Sequence, residues 1–318
     1  MRKDNRTLVT KFILLGFPIG QKIQYLLFGI FLLVYLLTVG GNMVIITLVK
    51  TNSRLHTPMY FFLVNFSIME IWYVSCTIPK MLQDFLVSSK SISVPGCIAQ
   101  CYFFFVMGST ENYLLAVMAY DRYLAICNPL HYTTIMTPQF CGFLVASCWV
   151  VTLLGNLLPL IFLCGLEFCG SNEIDHFFCD IFPLLKLSCT DTTLIKIYFF
   201  ISVCTIMFSC IIFTLVSYSN IIFTVLKIPS TLGRKKAFST CGSHLTVVLV
   251  YYGTVIFMYV RPNSRDSLEL DRAVSVFYVA FAPLLNPFIY TLRNNEVKGA
   301  LWKALSSKVV FKAENLFS

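Results

Sequence analysis

Charge is what this chain has least of. Asp, Glu, Lys and Arg make up 12% of its 318 residues, against about 25% in a soluble protein. Apolar residues make up 57% and the mean hydropathy is +0.77, which excludes a water-soluble domain and predicts one membrane bundle rather than several domains. The apolar runs are continuous, not alternating, so a closed barrel is excluded. The net charge of +9 forms no basic stripe, so no nucleic acid partner is expected; membrane-flanking charge and contact with lipid account for it. No nucleophile, base and orienting group converge by spacing, which argues against an enzyme. No internal repeat is visible and only one helix is strongly broken, which argues against a transporter or channel. The first apolar stretch is too long for a cleavable signal and is expected to stay in the membrane.

What is there is length. A helix needs about 20 apolar residues to cross the hydrocarbon core, and seven windows satisfy this: about 25–49, 58–81, 98–121, 141–162, 196–226, 238–260 and 271–292. The fold class expected is an all-α, seven-transmembrane helix bundle, one domain over 1–318 with a tail at 293–318. In the tail, Val297, Leu301 and Leu305 recur at helical spacing opposite Lys298 and Lys303, predicting a short amphipathic helix along the membrane surface. With the N-terminus outside, Lys and Arg divide equally between the two sides, so the positive-inside rule abstains. The sequon Asn5-Arg6-Thr7 and the acid-free cluster Lys227, Arg234, Lys235 and Lys236 favour an extracellular N-terminus and a cytoplasmic C-terminus. Glycosylation is therefore expected at Asn5.

Of 13 cysteines, Cys97, Cys169, Cys179 and Cys189 fall at a span edge or in the loop between the fourth and fifth spans. Facing an oxidising compartment, four cysteines allow three pairings, and spacing does not choose among them. Cys76, Cys101, Cys148, Cys204 and Cys210 lie within apolar runs and read as buried thiols. His176 near Cys179 resembles half of a metal site without the other half.

Ionisable groups inside spans are costly and mark function. Glu70 and Glu111 are the two expected there, with Asn42 and Asn286 as polar companions. The two carboxylates could hold a sodium ion as an allosteric cofactor or stay protonated and hydrogen-bonded; no other cofactor is implied. Asp121, Arg122 and Tyr123 close the third span and could either anchor it by snorkelling at the membrane edge or form a switch. Pro287 interrupts the seventh span between Asn286 and Tyr290, and Tyr218 stands near the inner end of the fifth; together they predict a hinge at one depth.

The segments LHTPMYFFL (55–63), MAYDRYLAIC (118–127), SY (217–218), KAFSTCGSHL (236–245) and PLLNPFIYTLRN (283–294), with the loop HFFCDIFPLLKLSC (176–189), resemble the tetrapod-type odorant receptors of the rhodopsin-like G-protein-coupled class. The resemblance covers nearly the whole chain. It implies a multi-pass plasma-membrane receptor that binds a small odorant and activates a stimulatory heterotrimeric G protein, raising cyclic AMP. It pairs Cys97 with Cys179 and Cys169 with Cys189, gives Arg122 the contact to the G protein with Asp121 as its resting partner, and puts Tyr252 beneath the ligand. Glu70 stands where non-olfactory relatives carry aspartate, and Glu111 matches an acid typical of the family. The implied pocket lies in the outer half of the third, fifth, sixth and seventh spans. Phe104, Phe105, Gly108, Ser109 and Asn112 share a face of the third. Ser202 and Ile206 follow on the fifth, Val255 and Tyr259 on the sixth, and Val276 or Ala280 on the seventh. No carboxylate occupies the outer half of the third span, which disfavours an amine ligand.

Overall fold

The structure is a computed structural model; it describes residues 9–169, 171–259, 268–293 and 296–303, with the side chains of 235–240, 258–259, 268–271 and 292–293 outside the description. Asn5 and Leu305 lie outside the described residues. In lipid every backbone polar group must be satisfied within the segment, so each long apolar run closes into helix. The helices are α1 (Gln21–Thr51), α2 (Pro58–Leu86), α3 (Val94–Cys127), α4 (Pro129–Ile135), α5 (Pro138–Gly155), α6 (Leu157–Cys164), α7 (Ile181–Lys186), α8 (Thr193–Leu226), α9 (Thr231–Tyr259), α10 (Leu268–Val276) and α11 (Ala282–Arg293). Seven helical spans result: α1, α2, α3, α5 with α6, α8, α9, and α10 with α11. Residues 296–303 form a further helix that buries Val297 and Ala300 and exposes Lys298 and Lys303.

Proline stands in the first turn of α2, α3, α4 and α5, where no backbone donor is lost. Ser93 caps α3 through Gly96 N at 3.2 Å, and Thr137 caps α5 through Phe140 N at 3.3 Å. Further along, proline breaks the ladder. Pro159 has no N–H to offer Gly155, and the fourth span divides there into α5 and α6. In the seventh span a π-helical turn at Phe277–Phe281 joins α10 to α11.

α3 runs through the middle of the bundle and packs against α2, α5, α8 and α9. Its inward face carries Glu111, Asn112, Asp121 and Arg122, all buried, so it is less apolar than α2, α5 and α8 although it is well enclosed. Lipid-facing positions such as Leu26, Phe143, Leu215 and Leu249 are exposed and apolar.

One end is closed by a cap that apolar windows do not anticipate. Strand β1 (Lys11–Leu14) lies between β2 (Ser91–Ser93), antiparallel, and β3 (Glu173–Ile174), parallel. Phe12 and Leu14 point inward and are fully buried beside Cys97, Ile98, Phe168 and Ile174. Gly16 turns the chain out of β1 at φ 62°, a conformation that glycine adopts without steric cost. Disulfides Cys97–Cys179 and Cys169–Cys189 tie the long loop to α3 and to itself.

Candidate ligand cavity and switch

Below the cap, a cavity of about 340 Å³ opens among the third to seventh spans, at the small end of ligand pockets, which run about 300–1,000 Å³. Phe104, Phe105, Gly108, Ser109 and Asn112 line it from α3, Ser202 and Ile206 from α8, and Val255 from α9. Tyr252 and Val276 do not line it, nor does Ala280, the alternative to Val276. Tyr252 is replaced by its neighbour Tyr251. Successive helical residues point about 100° apart, and Tyr251, not Tyr252, continues the four-residue spacing of Val255 and Tyr259. Val276 is replaced by Tyr278, because the π-helical turn that follows it changes which residues face inward; Ala280 is buried away from the cavity. The side chain of Tyr259 lies outside the described residues. The fourth span is an addition. Val151, Thr152, Gly155, Asn156 and Pro159 all line the cavity at its break.

A polar network crosses the cavity floor. Tyr251 OH donates to Gly108 O at 2.8 Å and accepts from Asn112 Nδ2 at 2.5 Å. Asn112 Nδ2 also reaches Gly108 O at 3.3 Å. Both neighbours of this nitrogen present acceptors, so the amide orientation follows from the network. That leaves Asn112 Oδ1 buried with no partner. Among the described residues, none that lines the cavity carries a charge.

Beneath the floor, Glu70 is fully buried and accepts from Asn286 Nδ2. Asn286 thus serves a carboxylate rather than backbone groups freed by Pro287. Pro287 itself packs against α1, where a Cβ on Gly41 would lie 3.1 Å from its ring. Asn42 Nδ2 returns to Thr38 O of its own helix at 3.0 Å. Glu111 is buried as well, and Glu70 Oε2 and Ser67 Oγ have no partner. Among the described residues no group of three or more His, Cys, Asp and Glu could hold a metal. Orphan oxygens beside buried carboxylates do suit a small hard cation. At the loop, Cys179 is spent in its disulfide and gives His176 no second ligand. Burial, helped by the positive Arg272, pushes His176 down to about 3, and burial pushes Asp180 up to about 6 against the pull of Ile181 N–H.

At the far end of α3, Asp121 does not pair with Arg122. Adjacent helical residues diverge, and Asp121 Oδ1 instead accepts from Tyr132 OH of α4 at 2.8 Å. Arg122 is buried and joins no ion pair among the described residues. Tyr123 packs beside Tyr218, Ile221 and Cys241. Tyr218 OH meets His244 Nδ1 at 2.7 Å, and His244 Nε2 meets Leu115 O at 3.1 Å. A carbonyl only accepts, so Nε2 carries the proton and Nδ1 accepts from Tyr218. One imidazole thereby joins α3, α8 and α9. Tyr290 is buried against Phe66, ring centroids 6.0 Å apart. Sequence reasoning passed over Tyr132 and His244. His244 carried a signal, as an ionisable side chain well inside an apolar window.

A family model described as olfactory receptor matches residues 31–308. Olfactory receptor 6F1 of Homo sapiens is 50% identical over 309 residues, 97% of this chain and 100% of that protein. Olfactory receptor 11H7 of Homo sapiens is 49% identical over 302 residues, 95% and 96% of the two chains. Olfactory receptor 1M1 of Mus musculus is 47% identical over 309 residues, 97% and 99%. The chain belongs to the olfactory receptor family. It is a seven-span, multi-pass plasma-membrane receptor of the G-protein-coupled class, and not an enzyme. The olfactory receptor cavity and the Arg122 end therefore belong to one signalling molecule, and the His244 junction lies between them.

Proposed function

We propose that this receptor binds small, mostly apolar volatile organic molecules in the outer half of its bundle and activates a stimulatory G protein, raising cyclic AMP. The observation that carries the reading is a cavity walled by aromatic and aliphatic side chains, with a few hydroxyls and amides and, among the described residues, no charge. Such a site orients a ligand through one or two polar contacts and holds it by apolar burial. The unpartnered Asn112 Oδ1 asks for a donor, so an alcohol is the preferred class. The disulfide-bearing cap faces the exterior, since disulfides persist in an oxidising compartment. β1 belongs to that cap, so the N-terminus is extracellular and Arg122 faces the cytoplasm. There Arg122, buried in this arrangement, is released in the active one and with the short loops gives the G protein a basic face; Lys236, whose side chain lies outside the described residues, is expected to add to it. An agonist that fits the active arrangement better than the resting one shifts the population toward it. Glu70 and Glu111, with Ser67, hold a sodium ion that biases this equilibrium; two buried carboxylates do not stay charged together without a compensating cation.

The test is cyclic AMP in cells expressing the chain, with surface staining, against a broad volatile panel. A dose-dependent rise is expected, lost in Arg122→Ala at unchanged surface level. Full signalling from that variant would refute the switch.

A further inference from the structure

We propose that ligands enter the cavity sideways, out of the bilayer, through a gap between the fourth and fifth spans. The inference rests on the cavity being the ligand site. Two of its walls are also the outside of the protein: Val151 of α5 is 52% exposed and Ile201 of α8 is 57% exposed, yet both line the cavity. Side chains that face lipid on one side and the cavity on the other mark an opening. The gap has a cause in sequence. Pro159 divides the fourth span after Gly155, and Gly155, itself cavity-lining, has no side chain to fill the space; a Cβ there would meet nothing within 4 Å. α8 packs chiefly against α3, and against the fourth span through α6.

The outer route is closed by contrast. Phe178 of the loop is fully buried over Phe104, ring centroids 4.8 Å apart, and Phe182 stands edge-on to Phe199 at 5.8 Å. Phe199 in turn stands edge-on to Phe105 at 4.7 Å. Two disulfides hold the loop that delivers Phe178 and Phe182. Among the described residues, none of the loop between the fourth and fifth spans lines the cavity.

Chemistry favours the open side. Each methylene moved from water into hydrocarbon concentrates a solute about four-fold, so the bilayer is the reservoir for the apolar ligands this cavity suits. The gap faces that reservoir. The chemical class is small, neutral, membrane-partitioning molecules; charged analogues that stay in water have no route.

The experiment uses the full chain in phosphatidylcholine nanodiscs with a diazirine-bearing octanol as probe. The sample is flashed at increasing times after mixing, and label is read on the α3 peptide carrying Phe104 to Asn112. Gly155→Phe places a ring in the gap, and Val151→Trp narrows it from the other side. Both are expected to slow labelling several-fold and to slow its loss on washout by the same factor, because obstructing a path delays arrival and escape alike. Phe182→Ala, which loosens the cap, is expected to leave both rates unchanged. Wild-type rates in both plugged variants would overturn the portal, as would acceleration by Phe182→Ala. A plugged variant that loses its final labelling without slowing would show altered binding and also count against the portal. No label on the α3 peptide in the wild type at any time would instead remove the cavity reading beneath it.

Discussion

Asn112→Leu separates two properties that loss of a binding residue ordinarily moves together. Asn112 gives one well-placed hydrogen bond, to Tyr251 OH at 2.5 Å, and a weaker approach to Gly108 O, which Tyr251 OH already serves. A hydrogen bond of this kind contributes about 0.5–1.5 kcal/mol, whereas a buried acceptor left without a partner costs about 1–3 kcal/mol. Asn112 Oδ1 is such an acceptor. Leucine has nearly the same volume and removes both the bond and the orphan, so the ligand-free receptor is expected to gain about 1 kcal/mol, a melting shift of about 1–2 °C. The alcohol-bound state moves the other way. It loses the bond to Oδ1 and strands the ligand hydroxyl, about 1–3 kcal/mol or roughly 5–150-fold in potency. Thermal unfolding of purified receptor and dose–response in cells give the two numbers, and a matched ligand without the hydroxyl should lose little. A variant that folds but melts several degrees lower, or one that keeps full potency for an alcohol agonist, would refute the reasoning.

Three further predictions follow from the buried polar groups. Tyr132→Phe removes the hydrogen bond to Asp121 and is expected to raise agonist-free cyclic AMP by about ten-fold or more, given about 1.5–3 kcal/mol for a bond to a charged group; unchanged basal signalling at equal surface level would count against a restraining role. Glu70→Gln is expected to abolish any dependence of thermal stability on sodium, compared with potassium at equal ionic strength, since the variant lacks one of the carboxylates that would hold the ion; a sodium response that survives would remove Glu70 from the site. Asp180 titrates near 6 in the folded cap because burial disfavours its charge, so its charged form costs stability above that pH, and the cost fades as pH falls toward the ordinary carboxylate value of about 4. Asp180→Asn should therefore raise the melting temperature at pH 7.5, with the gain shrinking between about pH 6 and 4. The opposite trend from His176, held neutral by burial, is common to both proteins and cancels in the difference; a gain that grows on acidification would contradict the assignment.

The bundle was legible because its cause is local. A run of about 20 apolar residues must become a helix in lipid whatever surrounds it, and Phe104 to Asn112 share a face because spacing alone dictates it. The cavity was less legible where backbone irregularity intervenes. No sequence rule announced the π-helical turn that brings Tyr278 inward in place of Val276. Pro159 was visible, but its consequence, a fourth span that contributes wall to the cavity, depends on how α6 meets α8. The Asp121 to Tyr132 bond joins a span to the short helix after it, and adjacency to Arg122 drew attention to the wrong partner. β1 was hidden because Ile13 and Leu15, which alternate with the inward Phe12 and Leu14, are apolar too. Two-residue alternation then looks like a plain hydrophobic stretch.

β1 is the middle strand of its sheet, and this sets an order of events. The central strand is the first part of the cap to be synthesised, while its partners are at residues 91–93 and 173–174. Phe12 and Leu14 must therefore wait, apolar and uncovered, until four spans have been threaded and the long loop has emerged. Contacts separated so far in sequence form slowly, and unpaired strand edges are where immature chains associate. The ectodomain of this receptor is begun first and completed late, which makes the newly made chain a natural client for retention before it reaches the surface.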